Sequence, residues 1–146
     1  MLAVNKDIPT IGIEEEFQIV NKENADLASG YYQIAEVASD EIKGRIKPET
    51  YPCFLETNTG ICLDIDTAFK QTMSLRATLA TLAEKNDMAI IAAGTHPYGK
   101  WYEHELLSTP RHTEIGDVLQ DAFRSRMTFG LHVHIGIEDK ALRIHI

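Results

Sequence analysis

Residues Thr10 to Val20 alternate with the two-residue period of a β-strand. Ile11, Ile13, Phe17 and Ile19 fall on one side, Gly12, Glu14, Glu16 and Gln18 on the other, and Glu15 interrupts the apolar side. The polar stretch Asn21 to Asp26 reads as a turn. From Tyr31 to Lys43 the apolar positions Tyr31, Ile34, Ala35, Ala38 and Ile42 take helical spacing, and Gly44 ends the pattern. Tyr51 to Thr57 predicts a short strand, followed by loop chemistry at Asn58-Thr59-Gly60, where Gly60 is suited to a positive φ. The clearest helix runs from Asp66 to Asn86, with Phe69, Met73, Arg76, Leu79, Leu82 and Ala83 on one stripe and Asp64 and Asp66 placed to cap its start.

Met88 to Ala93 predicts a compact apolar strand that opens at Gly94-Thr95-His96-Pro97 into a long polar and aromatic loop reaching Pro110. Thr113 to Arg126 fits a helix with Ile115, Val118, Leu119, Ala122 and Phe123 inward. The strand Thr128 to Ile137 follows, with Leu131, Val133, Ile135 and Ile137 on one side and Gly130, His132, His134 and Gly136 on the other. Residues Glu138 to Ile146 carry no stop signal, so the end reads as an element cut short, and an open sheet edge there predicts pairing into a homo-oligomer. No repeat or low-complexity tract is found.

Composition changes the picture in three ways. With 146 residues, 44% of them hydrophobic and 25% charged, the chain suits one domain spanning residues 1–146 with one core. A formal charge of −8 with no Lys or Arg run argues against a nucleic-acid partner or an anionic membrane surface, and predicts metal ions as mediators for any anionic substrate. Neither a secretion signal nor a membrane-length apolar run is found, so the expectation is cytoplasmic, with Cys53 and Cys62 as reduced, partly buried thiols.

Several residues are candidates for chemistry. Glu14 and Glu16 leave one strand face about 7 Å apart at their origins, close enough to share a cation such as Mg²⁺, the alternative being an exposed acidic face. His132 and His134 share a strand face flanked by glycines, an arrangement that holds a metal or donates to a phosphate or carboxylate; the alternative is a structural pair. Glu56 stands where a strand meets a loop and is placed to join the acidic cluster, and His96 follows a strand end, where binding residues collect but where stacking on Tyr98 or Trp101 would serve as well. No phosphate loop, nucleophile elbow or dinucleotide fingerprint is present, so a nucleotide would have to be held through metal-bridged phosphates.

In order, Gly12-Ile13-Glu14-Glu15-Glu16-Phe17, Glu56-Thr57-Asn58-Thr59-Gly60-Ile61-Cys62, Ala92-Ala93-Gly94-Thr95-His96-Pro97 and Gly130-Leu131-His132-Val133-His134-Ile135-Gly136 resemble the N-terminal portion of the bacterial carboxylate-amine ligase family, of the glutamate-cysteine ligase 2 type. The resemblance implies an α+β, glutamine synthetase-like fold: an antiparallel sheet with helices on one face, forming the floor of a funnel for ATP, Mg²⁺ or Mn²⁺, and a glutamate-like acid. It implies acyl-phosphate formation followed by attack of an amine, with cysteine as the expected amine. Carried over by motif, Glu14, Glu16, Glu56 and His132 are expected metal ligands, with His132 and His134 toward the nucleotide and Thr59 and His96 in the substrate region. Further metal and phosphate ligands, arginines among them, are implied in the part of the family's sequence beyond this span. Two alternatives stay open: a metal-dependent hydrolase using His-x-His, and a non-catalytic remnant that binds metal or nucleotide.

Overall fold

The computed structural model describes residues 8–107, 118 and 120–145. Its centre is β1 (Thr10–Asn21), long enough to serve three neighbours. On one edge it pairs with β3 (Phe54–Asn58), which pairs in turn with β2 (Ile46–Pro48). On the other edge its first half pairs with β5 (Leu131–Gly136) and its second half with β4 (Met88–Ile91). Every pairing is antiparallel. This is the antiparallel sheet that the resemblance implies.

Because side chains alternate across a strand, register decides what meets on each face. The pairs Phe17↔Leu55, Ile19↔Ile90 and Glu15↔Thr57 point to one side, where α1 (Tyr31–Glu36) and α3 (Ile65–Glu84) pack over them. There Phe17, Ile19, Ile34, Leu55, Leu79, Leu82 and Ala83 form the main core. A second core lies on the opposite side, where Phe54 joins Tyr51, Cys53, Met127 and Phe129, with Trp101 against them. Gln18, opposite Phe54, is fully buried on that side, although the alternation alone would leave it exposed.

Several elements differ from their sequence expectation. The helix expected over 31–43 divides into α1 and α2 (Asp40–Lys43), because Ser39 adopts an extended conformation and its hydroxyl accepts the Ile42 N–H, starting a new helix. Helix α3 begins where Asp64 caps it, its carboxylate accepting the Thr67 N–H at 2.6 Å. Its buried stripe is Ala68, Leu75, Leu79, Leu82 and Ala83, while Phe69 and Met73, expected inward, are exposed. Two apolar stripes overlap on this helix, and the one led by the small Ala68 meets the sheet. Arg76 does turn inward, to Glu15.

The strand at Met88 ends at Ile91, the last strand starts only at Leu131, and β2 was hidden by its brevity and its proline. The left-handed glycine is Gly94, at φ 81°, rather than Gly60. Most of the helix expected at Thr113 to Arg126 lies outside the described residues; residues 120–124 are helical, with Phe123 buried but Val118 and Ala122 exposed. Cys53 and Cys62 are free and fully buried, and burial pushes the Cys53 thiol up to about 12, where it stays protonated and inert.

Candidate functional site

The face of the sheet opposite α3 collects the acidic residues. Cross-strand register places Glu16 beside Glu56 and Glu56 beside Lys47, and places Glu14 beside His132 and Gly12 beside His134. The expected sharing of one face by Glu14, Glu16, Glu56, His132 and His134 therefore follows from pairing geometry. Within that face the side chains form two groups.

In the first group, carboxylate oxygens of Glu16, Glu49 and Glu56 lie within 4.8 Å of one another. Glu49 went unrecognised in the sequence because it follows the short β2 in no periodic pattern. The available signal was weak: an acidic residue next to Pro48, seven positions before Glu56. Glu56 is 8% exposed, and its Oε1 makes no hydrogen bond; the Lys47 ammonium stands 3.6 Å away across the sheet. One oxygen of Glu16 accepts the Gly130 N–H at 2.8 Å, which orients that side chain. Three hard oxygen donors at this spacing, one of them buried without a hydrogen-bond partner, fit a small divalent cation.

In the second group, Glu14 Oε2 lies 2.9 Å from His134 Nε2 and 3.5 Å from His132 Nδ1. The expected set of Glu14, Glu16, Glu56 and His132 is thus distributed: Glu16 and Glu56 are joined by Glu49, and Glu14 is engaged by both imidazoles. The hydrogen bond from His134 is the main influence holding the Glu14 carboxyl below its ordinary range, partly opposed by burial and aided by the charge of His134, by His132 and by Lys47. A depressed carboxylate contributes stability above its unfolded-state pKa and loses it as pH falls through the folded-state value. Wild type is therefore expected to lose stability relative to Glu14→Gln as pH is lowered from about 5 to 3. Paired urea titrations at intervals across that range would show it, and parallel curves would exclude it.

Between the groups opens a cavity of about 290 Å³ whose lining includes Glu16, Glu49, Thr50, Arg126, Phe129 and His132. Its walls thus carry both a carboxylate edge and the cationic side chain of Arg126, an arrangement that suits an anion beside a cation. Two residues expected nearby are engaged elsewhere. The Thr59 hydroxyl accepts the Ile13 N–H at 2.9 Å while its own N–H donates to the Ile13 carbonyl, extending the β1–β3 ladder. His96 is buried with Nε2 2.9 Å from the Ala25 carbonyl and its ring edge-on to Tyr98, in a separate cavity of about 390 Å³ with Asp26 and His104.

The sequence matches the model of glutamate-cysteine ligase family 2 over residues 10–145. The chain belongs to this family. Among curated relatives, a protein of Sorangium cellulosum (strain So ce56), provisionally named glutamate-cysteine ligase 2, is 41% identical over 133 residues, covering 90% of this chain and 36% of its own length. A Solibacter usitatus (strain Ellin6076) protein of the same provisional name is 36% identical over 138 residues, covering 94% of this chain and 36% of its own length. This family 2 chain therefore spans little more than a third of the length of those relatives. Among solved structures, the glutamate-cysteine ligase of Francisella tularensis in complex with AMP superposes with a TM-score of 0.69 at 17% identity, over 94% of this chain and 28% of that one. At that identity the likeness establishes the fold. Among the described residues of the family 2 chain, no helix is long and apolar enough to cross a membrane.

Proposed function

We propose that this family 2 chain supplies the cation-binding floor of an ATP-dependent carboxylate-amine ligase site, joining a glutamate-like acid to an amine, cysteine being the amine that the family name suggests. The observation that carries the reading is the convergence of Glu16, Glu49 and Glu56 on the sheet face that also bears Glu14, His132 and His134. Glu16, Glu49 and Glu56 would hold Mg²⁺ or Mn²⁺, and such an ion, when bound, supplies positive charge that offsets the charge on phosphate and substrate oxygens.

The chain's own residues prepare the rest. Gly130 orients Glu16 through its N–H, so that the carboxylate does not have to be ordered when a cation arrives. Lys47 limits the repulsion within the cluster from the β2 side. Arg126 and His132, on the cavity wall, are donors for an anionic group seated against the carboxylate edge, whether a phosphate or the acid substrate. Glu14 holds the two imidazoles on the sheet face and keeps them oriented. In the ligase reaction the acid's carboxylate takes the terminal phosphoryl group of ATP to give an acyl-phosphate and ADP, and the amine then displaces phosphate.

The test is ADP release by the purified chain with Mg²⁺, ATP, glutamate and cysteine, set beside a Glu14→Ala, Glu16→Ala double variant and reactions lacking each amino acid. We expect release that requires both amino acids and is lost in the double variant. Release that persists in the variant, or none above it in the wild-type chain, would remove the ligase reading for this chain.

A further inference from the structure

Two segments wall the cavity beside the acidic cluster, one carrying Glu49 and Thr50, the other Arg126 and Gly130. Backbone bonds tie the first to three other parts of the chain. The Thr50 carbonyl accepts the Leu107 N–H at 3.0 Å, the Pro52 carbonyl accepts the Tyr31 N–H at 3.0 Å, and the Cys53 carbonyl accepts the Ile19 N–H at 2.8 Å. The second wall is held differently. The amides of Ser125, Arg126 and Met127 donate to the carbonyls of Asp121, Phe123 and Ser125, all within the same short stretch of chain. Beyond Arg126, the Met127 carbonyl accepts the Thr95 hydroxyl at 3.1 Å and the Phe129 N–H donates to the Gly94 carbonyl at 2.9 Å. Before Arg126, the Tyr51 hydroxyl reaches across from the first wall and donates to the Arg124 carbonyl at 2.5 Å. Arg126 thus stands between two ties, one to the loop after β4 and one to Tyr51.

Tyr51 is fully buried in the second core, its ring centre 6.0 Å from that of Phe54. Packing there calls for an aromatic ring rather than for a hydroxyl. Its core neighbours Cys53, Phe54, Met127 and Phe129 are apolar, and a phenylalanine would avoid the cost of taking a hydroxyl out of water. Burial pushes that hydroxyl above its ordinary range, so it keeps its proton at neutral pH and remains a donor. What the hydroxyl adds to the ring is a fixed separation between the two walls.

We propose that Tyr51 is a positioning residue for the bound anion: by holding the Arg124 carbonyl, two residues before Arg126, it sets how far the Arg126 guanidinium stands from the carboxylate edge. Among the described residues the cavity lining includes Thr50 and Arg126 but not Tyr51, so the hydroxyl acts through Arg126 rather than on the ligand. A guanidinium carried on a fixed backbone meets an oxyanion, whether phosphate or carboxylate, without having to be ordered first. This role rests on the reading of Arg126 as an anion contact, and the two are tested apart.

The 146-residue chain with Mg²⁺ is titrated calorimetrically with inorganic phosphate and, separately, with glutamate, as wild type, Tyr51→Phe, Arg126→Gln and the double variant. We expect Arg126→Gln to weaken at least one of these anions about 10-fold or more, and Tyr51→Phe to weaken the same anion about 10-fold. The double variant should lose little more than Arg126→Gln alone, because the hydroxyl acts through that guanidinium. Mn²⁺ affinity should be unchanged in Tyr51→Phe, since Gly130 keeps its own bonds to Glu16. Hydrogen exchange reads the placement with no ligand present. In Tyr51→Phe the amides of Ser125 and Arg126 should exchange about 10-fold faster, while those of Ile19 and Tyr31 keep their rates. Unchanged exchange at Ser125 and Arg126, or equal acceleration at all four amides, would reduce Tyr51 to a packing residue. Wild-type anion affinity in Tyr51→Phe, or losses that simply add in the double variant, would overturn its role and leave the Arg126 reading standing. Phosphate and glutamate binding that Arg126→Gln does not weaken would remove the Arg126 reading, and the role of Tyr51 with it.

Discussion

A Glu16→Ala, Glu56→Gln double variant is expected to bind Mn²⁺ about 100-fold or more weakly than the wild-type chain and, without metal, to melt at a higher temperature. The affinity loss follows from the ligand count: disturbing groups that merely support a metal ligand costs about 10- to 100-fold, and this variant removes two of the three proposed oxygen donors. The gain in stability follows from the same geometry with the sign reversed. Carboxylate oxygens of Glu16, Glu49 and Glu56 lie within 4.8 Å of one another, Glu56 is almost entirely buried, and the Lys47 ammonium is 3.6 Å from Glu56 Oε1, which makes no hydrogen bond. Like charges held that close repel one another, and taking away two of the three carboxylates takes away that repulsion.

Metal binding at the cluster is therefore expected to stabilise the fold. The wild-type chain should gain about 2.7 kcal/mol of stability when Mn²⁺ is at 100 times its dissociation constant, and the double variant should gain almost nothing at the same concentration. Electron paramagnetic resonance of free Mn²⁺ gives the affinity, and melts with and without Mn²⁺ give the linkage. Equal affinity in the two proteins would show that the cluster is a solvated acidic face, whatever the rest of the chain does.

The side of the sheet on which this cluster lies was readable from alternation alone. Ile11 to Ile19 states which residues of β1 share a face, and His132 with His134 states it for β5; pairing then had only one way to bring both polar faces together. Glu49 was not readable, because it belongs to no period and reaches the cluster only through the β2–β3 pairing, a contact between short segments that local pattern does not announce. The two stripes of α3 show a different limit. Ile65, Phe69 and Met73 are as regular as Ala68, Leu75 and Leu79, and only the sheet's shape decides which row is buried. The division of Glu14 from Glu16 was hidden for a similar reason. Strand spacing puts both carboxylates on one face but does not say that paired histidines will claim the first and a glycine amide the second.

One residue of the acidic triplet has its own consequence, measured on stability rather than chemistry. Arg76→Met is expected to destabilise the chain by about 2 kcal/mol, below the roughly 3–5 kcal/mol for breaking a fully buried ion pair because the Arg76 side chain is half exposed while Glu15 is almost wholly buried. The lost contacts are the bond from the Arg76 guanidinium to Glu15 Oε1 and the placement of that cation 5.8 Å from the centre of the Phe17 ring. What remains is a carboxylate among apolar groups, its other oxygen already without a hydrogen bond. Adding Glu15→Gln to Arg76→Met should therefore recover at least half of the loss, since it removes the stranded charge while keeping the volume.

The pair also fixes which way the triplet faces. Glu14-Glu15-Glu16 carries no alternation of its own, and a slip of one residue would send Glu15 to the cavity and the other two under the helix. By drawing Glu15 to α3, Arg76 penalises that slip. In the Arg76→Met chain the amides of β1 from Gly12 to Glu16 should exchange faster than those of Phe17 to Val20, which remain clamped by the main core. Uniform exchange along β1, or a stability loss under about 0.5 kcal/mol, the usual scale of a surface substitution, would mean that Arg76 is no more than a surface charge.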